Sequence, residues 1–213
     1  MPKTKIPWCD YTINPVKGLC PMACPYCYAR AMYKRFKWNP EIRLDAPSAV
    51  EQLKHIPDGS RIFWGSTMEL FGDWVKPEWR EAIINTTKKL PNHTHIFLTK
   101  CPQNLPKEWP DNCWVGISTT GNDCRSGLED IFAPIHAKVK FVSIEPLIDY
   151  TPMDFRWVKW VIIGCQTPVS EKTMCKREWV NEIIEAADKA KIPVFIKPPL
   201  SDIMNLHRQE FPK

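Results

Sequence analysis

The sequence predicts an α/β domain built as an incomplete (β/α) barrel of about six to seven parallel βα units. Three observations carry that expectation. Short runs rich in β-branched and aromatic residues alternate with segments of helical periodicity along the whole 213-residue chain, and such alternation belongs to parallel sheets. The length falls short of the ~250 residues of a complete eight-fold barrel. The glycine-rich phosphate fingerprint that opens a doubly wound nucleotide-binding sheet is missing, and cysteines stand in that slot instead. A doubly wound open sheet is the alternative architecture.

Taken in order, a short first strand is expected before Cys20, and a helix over Tyr28 to Lys37 starts directly after the cysteines. A second helix fits Pro47 to Ile56, followed by a strand at Arg61 to Gly65. Pro77 to Leu90 begins with proline at a first helical position and sets Trp79, Ala82, Ile83 and Thr86 on one face. Strands then read at His95 to Thr99, Trp114 to Ser118, Lys140 to Ile144 and Trp160 to Gly164. Lys176 to Lys191 repeats the helical pattern through Trp179, Val180, Ile183, Ile184 and Ala187, and Val194 to Lys197 closes the series as a strand. No repeat, low-complexity tract or linker divides the chain, so residues 1–213 read as one partial barrel domain with a cysteine-bearing loop at 18–30.

A hydrophobic content of 44% is enough for a core that does not depend on metal. Nine cysteines, Cys9, Cys113, Cys124, Cys165 and Cys175 among them, follow no disulfide framework and no secretory leader pattern precedes them. That usage is expected of a reduced, cytoplasmic protein. The longest apolar strings are too short to span a bilayer, so no membrane partner is expected. Residues 1–43 hold eight Lys or Arg against Asp10 and Glu41, a basic field around the cysteines that would attract an anionic partner such as nucleic acid.

Cys20, Cys24 and Cys27 form a CxxxCxxC array. Thiolates select iron–sulfur clusters and zinc, yet a closed zinc or electron-transfer site takes four protein ligands. Three ligands leave a metal with an open position. Cys9 is the alternative fourth thiol, although its spacing to Cys20 fits no common zinc ribbon. The predicted strand ends carry Gly65-Ser66-Thr67-Met68-Glu69, Thr99-Lys100-Cys101, Ser118-Thr119-Thr120, Ser143-Ile144-Glu145-Pro146, Gly164-Cys165-Gln166 and Lys197. Polar strand ends in succession predict a lined cavity at the carboxyl edge of the sheet.

The array, with aromatic Tyr26 before its third cysteine, resembles the signature of the radical SAM superfamily. Beyond it, Asn14-Pro15-Val16, Phe63 to Phe71, Leu98-Thr99-Lys100, Trp114 to Ser118, Ser143 to Leu147, Trp160 to Gly164 and Pro193 to Lys197 resemble a phage- and bacteria-borne family of three-cysteine proteins grouped with those enzymes, of unsettled function. Two places depart from that pattern: Cys101 replaces an arginine, and Gly164-Cys165-Gln166-Thr167 replaces Gly-Gly-Glu-Ser.

The resemblance implies a radical SAM-like partial barrel. Cys20, Cys24 and Cys27 would hold a 4Fe-4S cluster, and S-adenosylmethionine would chelate the open iron. Backbone around Tyr26 would meet the adenine, while Gly65, Ser66 and Thr67 would lie near the methionyl amino group. Glu69 and Glu145 would be the acidic residues at the mouth, with Ser118 and Glu145 meeting ribose or substrate. It also implies an electron donor such as flavodoxin or ferredoxin. Cys101 is a candidate hydrogen-atom donor, its thiol acidified by Lys100. Arg30, Lys34 and Lys37, beside an apolar stripe of Tyr28, Met32 and Phe36, are the candidate nucleic-acid contacts. The competing class is a non-enzymatic metal- or cluster-bearing module that binds nucleic acid or regulates.

Overall fold

The computed structural model describes residues 2–121, 127–150 and 152–213; Cys124 lies outside them. Seven parallel strands form one sheet: β1 (Tyr11–Ile13), β4 (Arg61–Trp64), β5 (Thr94–Thr99), β6 (Cys113–Thr119), β7 (Val139–Ile144), β8 (Val161–Ile163) and β9 (Val194–Ile196). Their spatial order is their chain order. With right-handed crossovers, that order stacks every connection on one side of the sheet, which curls into a half barrel. A doubly wound sheet reverses its strand order part-way, so that alternative is set aside.

A second, two-stranded sheet pairs β2 (Val16–Lys17) with β3 (Arg43–Leu44), antiparallel. This pair ties off the base of an excursion that contains the cysteines and α1 (Tyr28–Phe36). The Gly18 amide donates to the Tyr33 hydroxyl at 2.8 Å and the Leu19 amide to the Pro40 carbonyl at 2.9 Å. Gly18 sits at φ +121, where a Cβ would stand 2.6 Å from the Glu41 carbonyl oxygen, so only glycine closes this neck.

The remaining helices are α2 (Ala46–Leu53), α3 (Pro77–Lys88), α4 (Leu128–Phe132), α5 (Arg177–Ala190) and α6 (Leu200–Met204). On α5 the expected face is the buried one, through Val180, Ile183 and Ala187. On α3 the face is rotated: Ile83 and Thr87 are buried while Ala82 is exposed. Thr87 belongs there because its hydroxyl bonds the Ile84 carbonyl at 2.7 Å and meets the Cys113 thiol at 3.3 Å. α1 departs furthest from expectation. Ala29 and Tyr33 are its buried residues, and the predicted apolar stripe of Tyr28, Met32 and Phe36 leaves Tyr28 and Phe36 about half exposed.

Side chains alternate across each strand, giving two cores. Ile62, Trp64, Phe97, Val115, Ile117, Val142, Ile144, Val161 and Ile163 pack on the helical side. On the inner side Trp8, Phe63, Ile96, Phe141, Trp160, Ile162 and Phe195 fill the bowl, with Phe211 packed against them. The fit is close: Gly116 lies between Leu98 and Phe141 in register, and a Cβ on it would come within 2.3 Å of the Phe141 ring.

Both chain ends complete this plug. Arg61 donates to the Asp10 carboxylate at 3.1 Å and lays its guanidinium 4.1 Å from the Phe211 ring centroid. The final residues cover the edge of β9, with Ile196 N–H donating to the Arg208 carbonyl at 2.7 Å and Glu210 N–H to the Val194 carbonyl at 3.1 Å. An exposed strand edge would otherwise template association. No helix among the described residues is long and apolar enough to cross a membrane.

Gly116→Ala is expected to overpack the bowl and cost about 1–3 kcal/mol, seen as a lower midpoint in denaturant unfolding. Adding Phe141→Leu should recover part of that loss, because the clash is with the ring and not with backbone.

Candidate active site

The plug fills the amino-terminal half of the bowl and leaves its carboxyl end open as a cavity of about 450 Å³. Three elements wall it. The strand ends supply Gly65 to Glu69, Thr99, Lys100, Ser118, Glu145, Gly164 to Thr167 and Lys197; the excursion supplies Cys20, Cys24, Tyr26, Cys27 and Tyr28; the amino-terminal segment supplies Ile6, Pro7 and Trp8. Ten of the eleven residues singled out from the sequence as catalytic, cofactor-binding or metal-binding therefore border one space: Cys20, Cys24, Cys27, Tyr26, Gly65, Ser66, Thr67, Glu69, Ser118 and Glu145. The eleventh, Cys101, does not border it. Its side chain is buried in the core on the helical side, because Lys100, its neighbour on the strand, takes the inward position. Burial pushes the Cys101 thiol up to about 11, opposite to the acidification expected from Lys100.

The turn after β4 is organised by Asn14, at the end of β1. Its Oδ1 accepts from the Thr67 amide at 3.0 Å and the Thr67 hydroxyl at 3.1 Å, and its Nδ2 donates to Ser66 Oγ at 3.0 Å. The Tyr28 hydroxyl reaches across from α1 to donate to the Ser66 carbonyl at 2.7 Å. One amide and one phenol thus lock the first two strand ends and the excursion together. A lone asparagine after a strand gives no sequence signal of this role.

Glu69 accepts three hydrogen bonds, from Phe71 N–H at 3.0 Å, Thr99 Oγ1 at 2.7 Å and Lys100 N–H at 2.7 Å. These donors favour the carboxylate, but burial outweighs them and holds its pKa above the usual range. All three bonds serve to fix the turn, so Glu69 frames the cavity more than it presents charge to it.

Besides Glu69, the strand ends bring three charged side chains to the cavity. Glu145 forms an ion pair with Lys197, from the strand two places away, and Gly164 between them makes this reach feasible. A Cβ at 164 would lie 3.0 Å from Glu145 Cγ and 3.1 Å from its Oε1. Lys100 donates to the Ser118 hydroxyl and holds its ammonium 5.8 Å from the Tyr26 ring centroid. The sequence marked Glu145 and Ser118 as strand-end residues; their lysine partners, also at strand ends, were visible only as polar positions.

The three cysteines of the array are partly exposed and free of disulfides. Burial raises the Cys20 thiol, while backbone amides of Glu69 and Met22 pull the other way. Arg30 turns back to donate to the Cys20 carbonyl at 2.7 Å, and Cys27 N–H closes a turn onto the Cys24 carbonyl at 3.1 Å. Among the described residues no three His, Cys, Asp or Glu side chains converge into a metal-holding group. The donor set is nonetheless suited to soft metal: three thiols on one short loop, accessible from one cavity, with amide donors beside Cys20. Cys9 is not one of them. It lies buried in the inner plug, its thiol pushed up to about 12 by burial.

Residues 3–199 match DUF5131, a protein family of unknown function. The chain belongs to that family. The match spans every strand of the half barrel, the cysteine loop and all the cavity residues above, and stops before most of the tail that covers β9. No curated protein and no solved structure matches the chain.

Exposure separates the cysteines in a way that alkylation can read. In native, metal-free protein at neutral pH, iodoacetamide is expected to modify Cys24 and Cys27 first, with Cys9, Cys101 and Cys113 protected until denaturant is added. Peptide mass spectrometry over a time course checks this. Labelling of Cys101 as fast as Cys27 would place its thiol in the cavity after all.

Proposed function

We propose that this protein is a radical SAM-type iron–sulfur enzyme that cleaves S-adenosylmethionine reductively to modify a substrate. The observation that carries the proposal is the opening of the CxxxCxxC loop onto the cavity at the carboxyl end of the half barrel, where the strand-end side chains also converge. Three thiolates leave a metal position open, which fits an enzyme better than a closed structural site.

When bound, the cluster and S-adenosylmethionine supply the one-electron chemistry that generates a carbon radical able to abstract hydrogen. The chain supplies placement and shelter. Cys20, Cys24 and Cys27 would hold the iron, with the amides of Met22 and Glu69 beside the Cys20 sulfur. The turn at Gly65, Ser66 and Thr67, fixed by Asn14, offers carbonyl and hydroxyl acceptors for an ammonium. Lys100 presents a cation for a carboxylate, its position set by Ser118 and the Tyr26 ring. Glu145, paired with Lys197, is available to a ribose or substrate hydroxyl. Trp8, Phe63 and Leu98 form an apolar floor that excludes water below the reacting atoms.

Anaerobic reconstitution with iron and sulfide should give a brown protein that releases 5'-deoxyadenosine when supplied with dithionite and S-adenosylmethionine. Cys20→Ala, Cys24→Ala or Cys27→Ala should each abolish the visible absorbance, while Cys9→Ala retains it. A colourless, zinc-loaded and inert protein would replace this reading with the non-enzymatic metal module.

A further inference from the structure

A second concavity, of about 590 Å³, lies on the outer side of the cysteine loop. It is lined by Cys24, Cys27, Arg30, Lys34, Tyr33 and Trp38 among others, so the groove and the cavity share two of the array cysteines. At its far end the chemistry is unusual for a solvent face. Lys37 adopts the left-handed conformation at φ 49, and Trp38 N–H bonds the Tyr33 carbonyl at 3.2 Å, which is the helix stop that folds the next residue back onto the last turn. Trp38 consequently meets Tyr33 edge-on at 5.2 Å and stacks near-parallel on Phe36 at 5.5 Å and 23°.

The Tyr33 contact is the ordinary apolar companion of such a stop. Phe36 is not required by it. Phe36 remains 51% exposed and Trp38 43% exposed, so two adjacent rings offer faces and edges to solvent where packing demands at most one.

The charge around them is one-sided. From Tyr11 to Pro40 the chain carries Lys17, Arg30, Lys34, Arg35 and Lys37 and no carboxylate, against a whole-chain formal charge of +5, so all other residues together balance to zero. Arg30 is committed to the Cys20 carbonyl. Lys34, Arg35 and Lys37 are exposed, with the Arg35 guanidinium 5.2 Å from the Phe36 ring centroid. Exposed rings interleaved with cations are the combination that binds single-stranded nucleic acid, the rings stacking bases and the cations tracking phosphates. A duplex hides the base faces that Phe36 and Trp38 would use, and an acidic peptide has no rings to stack at every residue.

We infer that the groove along α1, lined by Lys34 and Trp38, together with Phe36, Arg35 and Lys37 on the exposed surface beyond it, binds a single nucleic-acid strand, with bases on Phe36 and Trp38 and phosphates on Lys34, Arg35 and Lys37, in a path that leads past Cys24 and Cys27. Delivery of a nucleotide to the cavity rests on the enzyme reading above; strand binding does not, and is measured without S-adenosylmethionine.

The test is fluorescence anisotropy of a short labelled oligothymidylate across a salt series, on metal-free and on reconstituted protein. Affinity should fall with salt, and Lys34→Gln, Arg35→Gln and Lys37→Gln combined should reduce the slope by about 2, at roughly 0.7 per single-strand phosphate contact. Trp38→Ala should weaken binding on the order of tenfold with the slope unchanged, and Trp38→Phe should restore most of it. Circular dichroism and melting temperature guard against a variant that has merely lost α1. Absence of binding at low salt, a slope unaltered by the three glutamines, a Trp38→Ala affinity equal to wild type, or equal binding to a hairpin duplex or to phosphatidylserine vesicles would each overturn the inference. Failure of S-adenosylmethionine cleavage alongside intact strand binding would overturn the enzyme reading alone.

Discussion

A half barrel has an interior with only half a wall, and the filling of that interior is the constraint on which the rest of this structure depends. The inner faces of the strands supply Phe63, Ile96, Phe141, Ile162 and Phe195, but they do not meet a facing set of strands. Trp8 from one chain end and Phe211 from the other are brought in to face them. Each large apolar side chain taken from water in this way contributes about 1.5–3 kcal/mol, which makes the two end segments part of the core and not trimmings. Gly116 shows how little slack there is, since Phe141 occupies the volume where any side chain at that position would begin.

The same constraint decides where chemistry is located. Aromatic rings close the amino-terminal half of the bowl, so the space that remains lies at the carboxyl ends of the strands, where the next residues on each strand also point inward. Leu98, Ile162 and Phe195 are succeeded two positions later by Lys100, Gly164 and Lys197, all of which line the cavity. Along these strands the step from plug to cavity is therefore a change of level in the bowl. Glycine at 164 then permits a long-range ion pair at the rim, Glu145 with Lys197, by withholding a side chain from the path between them.

The strands, their parallel order and the polar strand ends were legible in the sequence because buried parallel strands are continuous apolar runs and need no partner to be recognised. The three-cysteine loop was legible because its spacing is local. What escaped was whatever depends on which side of an element faces inward over long distances. The expected stripe on α1 put Tyr28, Met32 and Phe36 together, but the helix is anchored through Tyr33, whose hydroxyl takes the Gly18 amide at the neck of the excursion. Cys101 follows a cavity residue in sequence and for that reason points away from the cavity. Asn14 and Lys197 act through partners about fifty residues distant, a separation at which local pattern carries no information.

The cysteine loop is where these levels meet. Its frame is held by backbone: the β2/β3 pair at the base, the Leu19 amide on the Pro40 carbonyl, and the Gly18 amide on Tyr33. Within that frame Cys20, Cys24 and Cys27 hang from turns, and Ala23 adopts the left-handed conformation at φ 51 to make them. Rearranging thiols on turns leaves the frame bonds intact, so loading with metal need not disturb the half barrel. The loop presents one side to the cavity and the other to the α1 groove. Arg30 joins the two, since it lines the groove while its guanidinium holds the carbonyl of Cys20. Cys24 and Cys27 join them as well, since both line the cavity and the groove, so the two concavities share one loop whose frame is tied to the half barrel by backbone bonds.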